Sequence, residues 1–317
     1  MPDTPLRDLH LNPVEAASIA SWCRATPPYW PRLDAGLRRD ELLGWAGRLP
    51  HAVRDELAAF AARLGAAGVL RLRGVPLPTD LPPTPAGPQA EPTAGTEMLV
   101  LAVAGLVGDL VPFGELGDAY GGGRLHNLYP GPHERPYDLG LHTEFVGGSA
   151  PPDVLVLLCL RSGPEPLPPS RYCDLRTVWR RLGREDRERL SEAQFGIRAR
   201  DESGAPQHLR PVATPWGDRL RFMFRVGDAM DREMRLTVGA TATHDAVVAR
   251  VAALIREETV EATLEGGDLV LIDNVHVMHG RAALTGSRNG SARWLQRAYA
   301  RADYGGGSAS GDRDVRR

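Results

Sequence analysis

The spacing of apolar residues predicts helices in the first third of this chain. Asn12 is followed by a proline and, three residues later, by Glu15, which is the arrangement of a helix start with a capping box. Apolar side chains recur at helical spacing over residues 52–64, which predicts a second helix. A more uniformly apolar run predicts another helix at roughly 96–108. The N-terminal region up to about residue 110 is therefore expected to be mainly helical.

After about residue 110 the pattern changes to short apolar runs separated by Gly, Pro and Asp, which is typical of strands. Val69–Gly74 and Leu220–Phe224 alternate apolar residues with arginines, so each is expected to form a strand with one face in water. Further apolar runs predict strands at Val154–Leu160, Leu269–Ile272 and Trp294–Tyr299, and a helix near 244–256 interrupts them. Helices followed by many strands predict a β-rich α+β fold with an antiparallel core and helical flanks. A jelly roll is one such fold.

Composition and charge narrow the class of protein. A chain of 317 residues, 42% hydrophobic and 25% charged, can bury a substantial core, and its net charge of -2 gives no basic excess for nucleic acid. The arginines of Arg171–Arg189 are interleaved with acids, which is typical of a solvated helix face. The sequence shows neither a signal peptide nor an apolar run of membrane-spanning length. Three scattered cysteines fit a reducing cytoplasm.

The order of these segments predicts a single domain over residues 1–304, with a helical part to about 110 and a strand-rich core at about 111–304. Residues 76–92 contain seven prolines and are expected to form an extended surface connection. Residues 305–317 begin with small polar residues and are expected to form a disordered tail. The sequence leaves the oligomeric state open.

His142-Thr143-Glu144 is the first candidate for chemistry. Residues i and i+2 of an extended segment project to the same side, so His142 and Glu144 are expected to face one ion while Thr143 faces away. His279 follows a predicted strand and precedes Gly280, which allows other groups to approach closely. Two histidines and one carboxylate can hold Fe(II) on one face and leave the other face open. The same donors suit catalytic zinc, although the HExxH helix of many zinc hydrolases is absent.

Residues near these candidate ligands allow more than one interpretation. His276 lies three residues before His279 and is expected to have a structural role rather than to bind the metal. Arg293 and Arg297 lie four residues apart, so both are expected on the same face of the last predicted strand. The planar guanidinium of Arg293 suits the carboxylate of a small molecule, but it is equally suited to pair with a protein acid such as Asp273.

Four features occur in a fixed order along the chain. They are a looser helical N-terminal region with its proline-rich connection, Leu141–Glu144 before Pro152–Arg161, Gly267–Asn274 leading into His279-Gly280-Arg281, and Arg293–Arg297 starting fourteen residues beyond His279. Together they resemble the clavaminate synthase-like, TauD-like Fe(II)/2-oxoglutarate-dependent oxygenases, in the branch that includes amino-acid hydroxylases of antibiotic pathways. The combination spans most of the chain and is far more specific than the His-x-Glu triplet alone.

The resemblance implies a role for each residue of these motifs. Fe(II) would be held by His142, Glu144 and His279. Arg293 would anchor the distal carboxylate of the cosubstrate 2-oxoglutarate, and Ser170 would supply the hydroxyl that relatives provide with a threonine. Arg297 would lie nearer the iron and orient cosubstrate or substrate. The implied fold is the double-stranded β-helix. The implied reaction consumes O2 and 2-oxoglutarate, releases succinate and carbon dioxide, and oxidises an unactivated C–H bond.

The chain departs from the family where substrate recognition is expected. Relatives that act on free amino acids continue after the metal-binding glutamate with an aromatic, His-containing stretch, whereas residues 145–151 are mostly small here. Asp228 and Asp231 are candidates for a cationic group of the substrate, with a solvated loop acid as the alternative. Asn127 is a candidate for a substrate amide or ammonium, and Glu144 is expected to border the substrate as well as the metal. The resemblance therefore implies a small, amino-acid-derived substrate but leaves its identity open.

Hydroxylation is the default outcome for such a site, and desaturation or ring formation would use the same ligands. Halogenation is disfavoured because Glu144 occupies the coordination position that halogenating relatives leave to the halide. The alternative from another class is a non-catalytic jelly-roll protein that binds a metal or metabolite. Arg293 argues against that alternative, because an anion anchor opposite a metal has little use in a scaffold.

Overall fold

A computed structural model describes the chain over the following residues: 5–26, 38–85, 93, 95–112, 123–130, 138–144, 151–199, 206, 208–226, 235–284 and 290–302. The helices are α1 (Pro13–Ala25), α2 (Arg39–Ala46), α3 (His51–Ala62), α4 (Thr96–Val107), α5 (Leu175–Arg181), α6 (Arg184–Leu190) and α7 (Ala242–Glu258). The strands are β1 (Leu6–His10), β2 (Val69–Arg73), β3 (Asp109–Leu110), β4 (Leu125–Leu128), β5 (Leu139–His142), β6 (Val154–Arg161), β7 (Ser170–Asp174), β8 (Phe195–Ala199), β9 (Ala213–Trp216), β10 (Arg219–Phe222), β11 (Arg235–Gly239), β12 (Val260–Ala262), β13 (Leu269–Asp273), β14 (Val277–Arg281) and β15 (Trp294–Arg301).

Two sheets organise the strands around the site. The major sheet has the order β1-β2-β13-β6-β15-β3, and β4 also pairs with β15. The minor sheet has the order β12-β7-β14-β5. All of these pairs are antiparallel except β1–β2. Two further antiparallel pairs, β8 with β11 and β9 with β10, complete the described strands.

Three apolar clusters show how the layers pack. One lies between the two sheets and joins major-sheet residues such as Leu157 and Ile272 to minor-sheet residues such as Tyr172 and Val277. A second covers the other face of the major sheet with α1–α4, and a third covers the outer face of the minor sheet with α5–α7. The order of layers is therefore helices, major sheet, minor sheet, helices, with an interior between the sheets that side chains of both can line.

Most elements expected from the sequence are confirmed. The helix start at Asn12 is α1, where Asn12 Oδ1 accepts hydrogen bonds from the amides of Val14 and Glu15 at 2.9 and 3.0 Å and the Glu15 carboxylate accepts from the Asn12 amide. The expected helices at 52–64, 96–108 and 244–256 are α3, α4 and α7. α4 is apolar around its circumference because it packs between α2 and α3 on one side and β15 and β6 on the other.

The Arg-rich run Arg171–Arg189 covers most of β7, all of α5 and most of α6. Arg184 and Arg189 make exposed pairs with Glu188 and Glu185 one helical turn away, which agrees with a solvated helix face.

Among the described helices, none combines the length and apolar character required to cross a bilayer. The expected tail at 305–317 lies outside the described residues, and the single-domain interpretation stays a prediction.

The N-terminal region differs from the expectation in two ways. β1 was not expected, and its pairing with β2 adds two strands from before residue 110 to the major sheet. The water-facing side expected for β2 is wrong, because Arg71 is only 6% exposed. Asp8 of β1 accepts two hydrogen bonds from Arg71, at 2.8 and 2.7 Å, and the Thr263 carbonyl accepts a third. Arg71 is buried, although the alternating pattern predicted exposure, because the neighbouring strand β1 supplies the carboxylate of Asp8.

A buried acid in α4 leads to a prediction about stability. Glu97 is 4% exposed, its Oε1 accepts a hydrogen bond from the Thr93 amide, and its Oε2 has no hydrogen-bond partner among the described residues. Burial raises the pKa of this carboxyl. The folded state thus retains a proton that the unfolded chain releases above its ordinary pKa of 4.5. The contribution to folding is complete below that pH and is lost as pH rises through the folded-state pKa.

We expect Glu97→Gln to raise the free energy of unfolding at pH 8, because the amide keeps the Oε1 acceptor and cannot ionise. Near pH 4 the variant and the wild type should have similar stability. Urea unfolding at both pH values measures the difference. An equal difference at the two pH values would show that Glu97 does not titrate as its burial implies.

Candidate metal and cosubstrate site

The three candidate metal ligands meet in the interior between the sheets. His142 is the last residue of β5 and lies directly opposite His279 of β14, so both imidazoles project to the same face. Their ring centroids are 4.6 Å apart, and His279 Nε2 lies 3.4 Å from Glu144 Oε1. One ligand atom from each of the three side chains lies within 4.8 Å of the other two. The structure therefore brings together His142, Glu144 and His279.

Local contacts set the direction of these side chains. His142 Nδ1 lies 2.9 Å from the Gly140 carbonyl, so Nδ1 carries the hydrogen and Nε2 keeps its lone pair for a metal. Thr143 faces the other way, as expected: its amide donates to the Phe224 carbonyl and its hydroxyl accepts from the Phe224 amide. Gly280 lets β5 approach, because a Cβ there would lie 2.5 Å from the Leu139 carbonyl oxygen.

The electrostatic surroundings favour the metal-binding forms of two of these side chains. Burial, together with the charge of His279, lowers the pKa of His142 to about 3. Burial alone would raise the pKa of the Glu144 carboxyl, but the hydrogen bond from His279 and the charge of Arg297 hold it well below its usual range. A neutral imidazole and an ionised carboxylate are the forms that ligate metals.

Arg297 borders the ligands, and the structure adds a neighbour that the sequence did not suggest. Arg297 donates to Glu144 Oε1 at 3.2 Å and to His126 Nδ1 at 2.9 Å. His126 lies on β4 directly opposite Arg297, and both are mostly buried. Because Nδ1 accepts this hydrogen bond, the neutral His126 ring carries its hydrogen on Nε2. His126 is thus a wall of the site.

Asn127, the expected substrate contact on the same strand, points to the opposite face. It pairs with Gln296 in the β4–β15 ladder, and its Oδ1 accepts a hydrogen bond of 2.8 Å from the Trp294 indole. The structure does not bring Asn127 together with the metal ligands. Successive residues of a strand face opposite sides of the sheet, so only one of His126 and Asn127 can face the site. β4 has four residues, which are too few for the sequence to show which of the two faces inward.

Arg293 and Ser170 lie at another part of the same interior. Arg293 is 7% exposed and immediately precedes β15, where the backbone of Gly163 packs against it. The positive charge of Arg293 acts on the hydroxyl of Tyr172, although burial dominates and raises the pKa of Tyr172 to about 12. The Ser170 hydroxyl hydrogen-bonds Tyr172, and Tyr172 lies directly opposite His279 in the β7–β14 ladder. Tyr172 therefore connects the region of Arg293 and Ser170 to the metal ligands.

Asp273, the alternative partner for Arg293, has other contacts. Its Oδ2 accepts hydrogen bonds from the amides of Gly65 and Ala67 at 2.7 and 3.1 Å, and its Oδ1 accepts from the Val275 amide at 3.2 Å. These bonds attach the end of β13 to the turn before β2. Asp273 therefore joins two strands of the major sheet.

The remaining candidates are separate from the ligand cluster or lie outside the described residues. His276 is buried against Phe222, with ring centroids 5.7 Å apart, and does not belong to the metal-ligating group. Asp228 and Asp231, the candidates for a cationic substrate group, lie outside the described residues, as do residues 145–150. Only Pro151 of the small-residue stretch is described.

The donor set fits iron. Ligands at about 2.1 Å from one ion in adjacent positions are roughly 3 Å apart, so the present separations, up to 4.8 Å, require only a modest contraction. Two imidazole nitrogens and one carboxylate oxygen form the set that non-haem Fe(II) oxygenases use. All three side chains are mostly buried, which limits access of water to an ion held there.

Comparisons with known proteins agree with this geometry. The family profile described as taurine catabolism dioxygenase TauD, TfdA family, matches residues 46–299. The chain therefore belongs to the TauD/TfdA family of Fe(II)/2-oxoglutarate-dependent oxygenases, and the resemblance to this class of enzyme is confirmed.

Individual relatives cover nearly the whole chain. L-asparagine oxygenase of Streptomyces coelicolor is 28% identical over 302 residues, covering 90% of this chain and 81% of the relative. Clavaminate synthase 2 of Streptomyces clavuligerus is 27% identical over 333 residues, covering 98% and 94%. A solved structure of asparagine oxygenase in complex with Fe(II), 2S,3S-3-hydroxyasparagine and succinate has a TM-score of 0.76 at 25% identity and covers 92% of each chain. Fe(II) and 2-oxoglutarate are thus the cofactor and cosubstrate of this class.

Proposed function

We propose that this protein hydroxylates an unactivated C–H bond of a small amino acid, or of a metabolite derived from one, in a specialised natural-product pathway. Desaturation or ring formation by the same residues is the alternative. The observation that carries the proposal is the meeting of His142, Glu144 and His279 within 4.8 Å, beside Arg297, in a chain of this family. L-asparagine oxygenase and the hydroxyasparagine in the related structure support an amino-acid substrate.

A double-stranded β-helix, or jelly roll, is the fold that we propose for the core. Two sheets, antiparallel except for the β1–β2 pair, enclose an apolar interior to which both contribute. The related structure of an oxygenase, with a TM-score of 0.76, supports the same architecture. The minor sheet carries His142 on β5 and His279 on β14, and the major sheet carries Arg297 on β15.

The cosubstrate end of the site is assigned to Arg293 and Ser170. Ser170 pairs with Arg281, and Tyr172 pairs with His279, in the β7–β14 ladder. The two pairs are two residues apart and face the same interior, so they lie about 6.8 Å from each other along the strands. That separation is comparable with the length of an extended five-carbon dicarboxylate that reaches from the metal toward Ser170. Bound together, Fe(II) and 2-oxoglutarate supply the oxidation of a C–H bond by O2. The part of Arg293 and Ser170 is to hold the distal carboxylate through charge and hydrogen bonds.

The substrate end is assigned to the side of Glu144 that faces Arg297 and His126. Arg297 is a permanent cation, and its contacts with Glu144 and His126 hold it beside the metal ligands. A guanidinium in that position suits the carboxylate of an amino acid and orients the carbon chain relative to the metal. Asp228 and Asp231 remain candidates for an opposing cationic group of the substrate.

A cytoplasmic location is proposed on the state of the cysteines. Cys23, Cys159 and Cys173 are free and buried. Burial raises the pKa of each thiol to about 12, which keeps the thiols protonated and unreactive. Free thiols of this kind agree with a reducing compartment.

The activity is tested with the purified protein, Fe(II), 2-oxoglutarate and isotopically labelled oxygen gas, offered to a panel of free amino acids. We expect at least one amino acid to raise succinate formation above the rate without substrate. Its product should carry one oxygen atom from the labelled gas, as seen by mass spectrometry. A product that has lost two hydrogens instead would identify the desaturation or cyclisation alternative.

The controls separate the class of enzyme from the class of substrate. If no amino acid raises the rate of succinate formation but a metabolite of another class does, the proposed amino-acid substrate is contradicted. The assignment as an oxygenase would stand. A second panel contains carrier-bound amino acids, because the sequence leaves open whether the substrate is free or attached.

A further inference from the structure

Glu144 lies two residues beyond the end of β5, the strand that carries His142. Its position therefore depends on contacts other than the hydrogen bonds between β5 and β14. β5 ends at His142, which pairs with His279. Two residues later, the Glu144 carboxylate lies 3.2 Å from the Arg297 guanidinium and 3.4 Å from His279 Nε2. A side chain that is drawn to a guanidinium needs a fixed backbone if it is also to meet a metal.

Asn274 supplies that fixation. It lies in the turn between β13 and β14 and is 2% exposed. The Glu144 amide donates a hydrogen bond of 2.7 Å to Asn274 Oδ1, and Asn274 Nδ2 donates to the Pro152 carbonyl at 2.8 Å. The same Nδ2 lies 3.5 Å from the Glu144 carbonyl, a weaker contact. One side chain thus holds both residues that flank 145–151.

The orientation of the Asn274 amide is set by the groups around it. An amide donor faces Oδ1, and carbonyl oxygens face Nδ2. Turning the amide over would place oxygen against two carbonyls and an NH2 group against an N–H, so a single orientation satisfies all three contacts. A carboxylate cannot replace the amide on these terms unless it is protonated, because it has no donor for Pro152.

The backbone of Asn274 is itself held on several sides. Its amide donates to the Asp153 carbonyl at 2.9 Å, and the Val275 carbonyl accepts from the Phe222 amide at 2.9 Å. Asp153 forms an ion pair with Arg221, and its second carboxylate oxygen accepts from the Ala302 amide at 2.7 Å. The core therefore holds the backbone of Asn274 independently of its contact with Glu144.

We propose that Asn274 is a positioning residue for the metal site: it fixes the Glu144 backbone so that the carboxylate faces the two histidines instead of turning fully toward Arg297. Asn274 touches neither metal nor substrate and acts only through Glu144. The turn that carries Asn274 leads directly into β14, the strand that carries His279. This inference rests on the metal site of the proposed function.

Asn274→Ala tests the proposal by anaerobic titration of the apoprotein with Fe(II), and separately with Co(II), followed by calorimetry. We expect the affinity for each metal to fall about 10- to 100-fold, the usual effect of removing a group that orients a ligand. Asn12→Ala is the matched control, because Asn12 also accepts hydrogen bonds from two backbone amides but caps α1 away from the site. It should destabilise the fold and leave metal affinity within about twofold of the wild type.

Conservative replacement distinguishes positioning from general stability. Asn274→Asp keeps the acceptor for the Glu144 amide but loses the donor for the Pro152 carbonyl, so its metal affinity should lie between those of the wild type and Asn274→Ala. Wild-type affinity in Asn274→Ala, or an equal loss in Asn12→Ala, would overturn the proposal. If Asn274→Ala does not fold, hydrogen exchange of the wild-type Glu144 amide decides instead: slow exchange is expected, and exchange at the rate of an unstructured peptide overturns the assignment. Failure of the wild type to bind Fe(II) would instead contradict the proposed function.

Discussion

His279→Ala is expected to reduce Fe(II) affinity by more than about 100-fold, because residues that merely orient ligands already contribute 10- to 100-fold. The variant loses one of three donors that lie within 4.8 Å of one another, which leaves one imidazole and one carboxylate for the ion. Anaerobic calorimetry of the apoprotein with Fe(II) measures the loss. Substrate-dependent succinate formation should disappear with the metal.

His276→Ala is the matched control for this variant. His276 is also a buried histidine of the same segment, three residues before His279, but it packs against Phe222 and lies outside the ligand cluster. Its replacement leaves a cavity and should lower stability while Fe(II) affinity changes little. Loss of metal binding in His276→Ala with retention in His279→Ala would reverse the assignment of the two histidines.

Arg293→Ala is expected to weaken 2-oxoglutarate binding by about 30- to 1000-fold, since truncating one partner of a buried, hydrogen-bonded charge pair costs about 2–4 kcal/mol. Arg293 is 7% exposed and its charge reaches Tyr172 in the interior between the sheets. The KM for 2-oxoglutarate should rise at saturating substrate, and the affinity for Fe(II) alone should stay near that of the wild type. Arg293→Lys should recover only part of the loss, because an ammonium lacks the planar pair of donors.

Arg73→Ala is a suitable control for the charge change. Arg73 pairs with Glu265 and Asp268 at the end of β2 and is not part of the site. Its removal should leave the KM for 2-oxoglutarate unchanged. An equal rise in KM for both variants would indicate a general effect of charge, and no rise for Arg293→Ala would contradict the cosubstrate assignment.

The sequence predicted the elements whose apolar pattern is long and regular. α3, α4, α7, β6, β13 and β15 lie where periodicity or a continuous apolar run placed them. The metal-ligating group was also predictable, because alternation puts His142 and Glu144 on one side of an extended segment and a strand end presents His279. The order of the motifs along the chain then indicated the family resemblance.

Features that depend on the neighbouring strand were not predictable. Whether His126 or Asn127 faces the site depends on the pairing of β4 with β15, since a shift by one residue exchanges the two faces. Arg71 is buried because Asp8 on β1 meets it, and β1 carries no apolar run of its own. The contact of Asn274 with Glu144 could not be predicted from the sequence, because the two residues are 130 positions apart. Such contacts follow from tertiary packing, which a local pattern does not contain.

The central claim, a metal site that also binds 2-oxoglutarate, is tested most directly by the visible spectrum of the wild-type protein reconstituted without oxygen. Fe(II) alone should produce no visible band, and addition of 2-oxoglutarate should produce a weak metal-to-ligand charge-transfer band as the keto acid chelates the iron. The band should be absent when zinc replaces iron. Reconstituted protein that binds Fe(II) but shows no band and no affinity for 2-oxoglutarate would contradict the account.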